Sequence, residues 1–295
     1  MIPPRKIALS GGGMKGLAHL GALEVLEEHG LLRCVKEYIG TSAGAIIGFC
    51  IAIGYTLSEL RTLCAVFDFS LAQNLDPAII LQFSEQFGID DGENLERFLS
   101  VLLKVKGLPI SLTFQELAEL RPNAPKLRVY AANIETCMPH EFSTDRTPRA
   151  EIRMAVRASM CIPFLFTPVK DGATGALLVD GGIIAHFPFY HLSDSERADT
   201  IGIAFDKDDA QFDMSSMNLS EFSIRVFLSL YKHQNEALYR DWAHQIINVS
   251  CKFSGLNFDA DTEFKLGIME AGRKAALEFC SRRTKSSLTR RYSVS

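Results

Sequence analysis

Three short stretches carry the residue types that acyl-transfer chemistry needs. Gly40-Thr41-Ser42-Ala43-Gly44 has the G-x-S-x-G spacing of a nucleophile elbow, in which a serine sits on a tight turn between a strand and a helix. Residues 35–39 before it are short and β-prone, and residues 43–53 after it hold no charge, so the required strand, turn and buried helix are all written there. Gly40 and Gly44 remove the Cβ atoms that would clash at such a turn, where Ser42 itself takes a strained backbone conformation. The Ser42 hydroxyl is then expected to project at the N-terminus of the following helix, whose dipole favours nearby negative charge. A serine hydroxyl is a weak nucleophile without a base.

Asp180-Gly181-Gly182 offers that base. It closes the apolar run 176–179, and a carboxylate at the C-terminal end of a sheet strand lies where α/β active sites are built. An apolar cleft raises a carboxylate's pKa toward the range useful for proton transfer. The third stretch, Gly11-Gly12-Gly13-Met14-Lys15-Gly16, follows the strand-like residues 6–10. Consecutive glycines at a strand-to-helix turn expose backbone N–H groups, the donors an oxyanion requires, and Lys15 adds positive charge nearby. None of the seven histidines sits in a telling context.

Two other chemistries fit parts of this pattern. Gly11, Gly13 and Gly16 also satisfy the dinucleotide fingerprint G-x-G-x-x-G, with Glu37 at roughly the spacing of the ribose-binding acid but inside the strand instead of at its end. A Ser–His–Asp esterase would need His233 or His244 beside Ser42. A catalytically silent lipid- or nucleotide-binding module is the third alternative.

The elements that must position these residues follow from periodicity. The first fifty residues read as strand, glycine-rich loop, helix with Leu17, Leu20, Leu23 and Leu26 at helical spacing, strand, elbow and helix, the opening of a parallel sheet. Residues 57–120 are helical in pattern, with a stripe of Leu95, Phe98, Leu99, Leu102 and Leu103 and a capping box at Thr113–Glu116. Strands are expected at 127–132, 176–179 and 200–205, and helices at 151–160 and about 218–246. Residues 281–295 hold five basic residues and no acid and read as a flexible, solvated tail, with attraction to an anionic membrane surface as the alternative.

Composition bounds the setting. Net charge is −4, and taking away the five basic residues of the tail leaves 26 basic against 35 acidic residues, which argues against a nucleic-acid binder. The seven cysteines are odd in number and contain no C-x-x-C, so reduced buried thiols in a cytoplasmic protein are expected, with no disulfide framework or metal site. The N-terminus lacks a signal-peptide pattern. Residues 38–58 are uncharged, but their apolar part is the length of a buried helix and not of a membrane span.

Taken in order, the glycine-rich loop, the elbow and Asp180-Gly181-Gly182 resemble the patatin-like phospholipase family over about residues 7–189, and Arg157-Ala158-Ser159 with Pro163, Phe166, Pro168 and Val169 resembles the segment before the family's aspartate. The resemblance implies a three-layer α/β/α fold, a mostly parallel sheet with helices on both faces and a helical insertion, forming one domain over 1–280. It implies a Ser42–Asp180 dyad, an oxyanion hole at Gly11, Gly12 and Gly13, and hydrolysis of acyl-ester lipids, typically phospholipids, with no metal or cofactor. Met14, Lys15, Gly16, Gly40, Gly44, Gly181 and Gly182 would support the motifs. His186 stands where the family often has Asn, and a structural role is expected for it.

Overall fold

The computed structural model describes residues 3–74, 79, 82–205, 222, 225, 226, 229, 240–251, 255 and 259–292. The apolar spacing around Leu20 and the β-prone runs around Ile7 and Ile39 give β1 (Lys6–Leu9), α1 (Leu17–Glu28), β2 (Glu37–Thr41) and α2 (Ala43–Ile53). The helical insertion follows as α3 (Leu57–Val66), α4 (Phe83–Gln86), the short strand β3 (Gly88–Asp90), α5 (Glu93–Val105) and α6 (Phe114–Leu120). Thr113 and Glu116 make the expected reciprocal capping box at the start of α6. The chain continues through β4 (Lys126–Asn133), β5 (Met138–Ser143), α7 (Ile152–Ser159), β6 (Phe164–Phe166), β7 (Val169–Lys170) and β8 (Leu177–Asp180). It then forms α8 (Asp194–Ala198), β9 (Thr200–Phe205), β10 (Ile246–Val249) and α9 (Thr262–Tyr292).

Strands β10, β9, β1, β2 and β4 pair in parallel in that order. The remainder of the sheet is antiparallel: β5 and β8 both run against β4, and β7 runs against β8. The expected parallel sheet is therefore the half that carries the elbow. Alternation along these strands sends side chains to two faces. Ile7, Leu9, Tyr38, Val129, Ile201 and Ile203 enter the larger core with α1 and α2, while Ala8, Ile39, Tyr130 and Ala204 meet Phe187, Phe189 and Leu192 on the other face.

One detail of register positions the site. On one edge β5 pairs with β4 from Arg128 to Asn133. On the opposite edge β2 pairs with Lys126–Tyr130 and β8 takes over at Ala131, with Thr41 opposite Tyr130 and Asp180 opposite Ala131. Strands β2 and β8 thus share one edge of β4 and run toward each other, end to end.

Two expectations need correction. Residues 281–292 continue α9 as helix, and no Gly or Pro after Gly272 interrupts it. The stretch 218–246 lies partly outside the described residues, and its end is not helical: a 3-10 turn at Ala243–Gln245 leads into β10, whose Ile246, Ile247 and Val249 suit an added sheet strand beside β9. Helix α9 crosses α1 closely, because Gly21 abuts the Met269 carbonyl and Gly272 the Ala18 carbonyl, positions where a Cβ would overlap the oxygen. All seven cysteines are free thiols, and five of them are buried.

Candidate active site

The elbow folds back on itself more tightly than any side chain would permit. A Cβ on Gly40 would overlap the backbone of Gly44 and Ala45, and one on Gly44 would overlap the Leu9 carbonyl. Ser42 between them has φ 51° and ψ −118°, outside the broad allowed regions for an L-residue. Its carbonyl already accepts from Ala45 N at 2.9 Å and Ile46 N at 3.2 Å, so α2 begins on the nucleophile candidate itself. Thr41 pins the strand end through Oγ1, which donates to the Ala185 carbonyl at 2.7 Å.

Asp180 reaches Ser42 by a route the sequence did not reveal. It closes its strand, as expected, but that strand is antiparallel to β4 and meets β2 head-on. Gly181 makes the meeting possible, since a Cβ there would overlap the Tyr130 carbonyl. The carboxyl group is buried, and loss of hydration pushes its pKa from 3.8 up to about 6. The Gly182 N–H, donating to Oδ1 at 2.6 Å, and the neighbouring Ser42 hydroxyl both pull it back down. No hydrogen bond of ordinary geometry joins Ser42 and Asp180, and Oδ2 is buried without a partner among the described residues. Loose nucleophile–base contacts of this kind are usual without substrate.

The glycine-rich loop continues the same row. Leu9 pairs with Gly40, which sets Gly11 level with Ser42 across the sheet. A Cβ on Gly11 would lie 3.5 Å from the Ser42 Cβ and 3.1 Å from His186 Nδ1. The Gly11 N–H, expected to face an oxyanion, is instead committed to the His186 carbonyl at 2.8 Å. It anchors the loop because the turn after Asp180 brings residue 186 alongside. The Gly12 and Gly13 amides donate to no acceptor among the described residues. Gly13 has φ 54° and packs on the Gly255 carbonyl, which also accepts the Met14 N–H at 2.7 Å. Met14 and Lys15 are buried in the 3-10 turn Gly13–Gly16, and Gly16 abuts Ala43, joining the starts of α1 and α2.

Two residues that the other chemistries would use, His244 and Glu37, stand apart from Ser42. His244 precedes β10 at the N-terminal edge of the parallel strands, the opposite end from Ser42, and stacks on Trp242 with ring centroids 5.9 Å apart. His233 lies outside the described residues. His19 is buried with its pKa lowered to about 4 by desolvation, and its Nε2 bonds the Ser10 carbonyl at 2.9 Å. His186 also lies beside the loop, its ring between Gly11 and Gly182. Glu37 opens β2 instead of closing it and is bound by Arg128 at 2.9 and 3.1 Å and by Lys6 at 3.1 Å, far from any phosphate on the glycine loop. Among the described residues no cluster of three or more metal-ligating side chains occurs, and no helix is long and apolar enough to cross a membrane.

Comparison with known proteins gives this arrangement a family. The model described as patatin-like phospholipase matches residues 7–192. The chain is 34% identical over 213 residues to the uncharacterized protein YqhO of Bacillus subtilis, covering 66% of this chain and 68% of that one. It is 33% identical over 184 residues to the probable lipid hydrolase 463L of Invertebrate iridescent virus 6, covering 62% of this chain but only 61% of the viral protein's length. The crystal structure of VipD from Legionella pneumophila superposes with a TM-score of 0.61 at 17% identity, over 95% of this chain and 67% of that one, a likeness of fold alone. On the family match and the shared architecture, the chain belongs to the patatin-like phospholipases.

Proposed function

We propose that the protein is a lipid acyl hydrolase of phospholipase A type, working through Ser42 and Asp180 without a histidine between them. The observation that carries the proposal is the end-to-end meeting of β2 and β8, which sets a strained serine against a buried carboxyl group whose pKa is raised to about 6. In this mechanism Ser42 Oγ attacks the ester carbonyl while the Asp180 carboxylate takes its proton. The tetrahedral oxyanion faces the Gly12 and Gly13 amides, which donate to no acceptor among the described residues. Collapse breaks the bond to the alcohol oxygen, which leaves with the proton from Asp180 as the lysolipid, and the acyl group stays on Ser42. Water then gives its proton to Asp180, attacks the acyl-enzyme and releases the fatty acid, returning the proton to Ser42.

Each proton transfer in this cycle runs between Asp180 and Ser42, water or the leaving alcohol, so the proposal calls for no metal and no cofactor. A panel of phospholipids, lysophospholipids and triacylglycerols, assayed with wild type beside Ser42→Ala and with products identified by mass, tests it. Fatty acid release lost in Ser42→Ala is the expected result; release that survives the substitution refutes the proposal.

A further inference from the structure

The last turn of α7 bears on both members of the site, and its Ser159 has no part in the chemistry above. Ser159 is completely buried. Its Oγ accepts the N–H of Ser42 at 2.8 Å and donates to the Tyr130 carbonyl at 2.6 Å. Two residues on, the Cys161 carbonyl accepts the N–H of Asp180 at 2.7 Å. One end of one helix therefore holds the backbone of the serine through a side chain and the backbone of the aspartate through a carbonyl.

The need for that hydroxyl follows from register. The β2 ladder stops at Thr41 opposite Tyr130, and β8 starts at Asp180 opposite Ala131. Between them Ser42 turns out of the sheet at φ 51°, and the helix bonds of α2 use its carbonyl and not its amide. The Ser42 N–H thus belongs to neither ladder nor helix, and the Tyr130 carbonyl lies at the break between two partner strands. A buried amide and a buried carbonyl without partners each carry a desolvation cost. A hydroxyl is the smallest group that satisfies both at once, because it accepts and donates through one oxygen.

We infer that Ser159 is a positioning residue: by tying the Ser42 amide to β4 it fixes the rotation of the elbow and so the line from Ser42 Oγ to the Asp180 carboxyl group. The inference rests on the roles proposed for Ser42 and Asp180. Misplacement of a reacting group by about 1 Å can cost on the order of a hundredfold in rate, so Ser159→Ala is expected to lower kcat by at least about tenfold with KM within about threefold.

The experiment compares wild type, Ser159→Ala, Ile152→Val and Ser42→Ala on a soluble acyl ester, with active sites counted by fluorophosphonate labelling. Ile152 is buried at the opposite end of the same helix, seven residues or about 10 Å along the axis from Ser159, so Ile152→Val reports loss of core packing away from the elbow. The inference expects slow turnover and slow labelling per folded molecule in Ser159→Ala and wild-type values in Ile152→Val. It is overturned if Ser159→Ala turns over within twofold of wild type, or if Ile152→Val falls as far. If Ser159→Ala does not accumulate as folded protein, Ser159→Cys takes its place: its thiol is only a weak donor and acceptor and needs longer bonds than the 2.8 and 2.6 Å made here, so turnover should again fall, and turnover within twofold of wild type overturns the inference. Activity surviving in Ser42→Ala would instead sink the underlying mechanism, whatever Ser159 does.

Discussion

Removing the negative charge of Asp180 should make the protein more stable while stopping its chemistry. The carboxyl titrates near 3.8 when hydrated and near 6 in the folded protein, chiefly because burial disfavours its ionised form. At about 1.4 kcal/mol per pKa unit, the folded state at pH 8 carries a penalty of about 3 kcal/mol from this one group. The sign follows from proton counts. Between pH 3.8 and 6 the folded state binds the proton that the unfolded chain has released, so stability falls as pH rises through that window and is level above it. Asp180→Asn removes the charge but keeps Oδ1 as acceptor for the Gly182 N–H. Urea unfolding at pH 8 should show the variant more stable by about 3 kcal/mol, with the slope on denaturant unchanged. At pH 5 the advantage should shrink to roughly half, since the folded wild type is then mostly protonated. A variant no more stable than wild type at pH 8, or one whose advantage does not change between the two pH values, would show that Asp180 is not a buried, destabilised carboxylate.

The same titration should appear in catalysis: kcat/KM for an uncharged ester should rise about tenfold per pH unit below about 6 and level off above it, because only the carboxylate accepts a proton. A flat profile from pH 4.5 to 8 would contradict this. Gly13→Ala should lose at least about 1 kcal/mol of stability, since its φ of 54° is costly for alanine and a Cβ would overlap the Gly255 carbonyl. Urea midpoints equal to wild type would show that the loop accommodates a side chain. The five basic residues between 282 and 291 should contribute about 1 kcal/mol each near an anionic bilayer, so removing residues 281–295 should weaken binding to phosphatidylserine vesicles at low salt and leave neutral vesicles unaffected. Unchanged partitioning at low salt would remove any role for this segment at membranes.

The parts of this site legible in sequence are those where only glycine fits. Gly40, Gly44 and Gly181 each face a backbone atom that a Cβ would overlap, so the close approaches that build the elbow and the Asp180 turn are written as residue types. Ser42 and Asp180 could be singled out because a nucleophile and a carboxylate stand inside those glycine frames. What could not be read is strand direction. Residues 176–180 look the same whether their strand runs with β4 or against it, yet only the antiparallel course lets β8 meet β2 end to end. Ser159 gave a weak signal as part of Arg157-Ala158-Ser159, but its task depends on a gap in a ladder that exists only in the folded sheet. The Gly11 amide likewise looked free until the turn after Asp180 brought the His186 carbonyl to it. The basic segment after Cys280 was read from charge, whereas its helix follows from the absence of any breaker.

The central claim is that an aspartate, with no histidine between, serves the serine. Hydrolysis of one acyl ester by Asp180→Asn and by His186→Ala, measured side by side at pH 8 per folded molecule, tests it most directly. Asp180→Asn should lose at least about a hundredfold in kcat, and His186→Ala, whose ring lies beside Gly11 but takes no proton in this mechanism, should keep activity within about tenfold of wild type. An active Asp180→Asn beside an inactive His186→Ala would contradict the dyad and make the histidine the base.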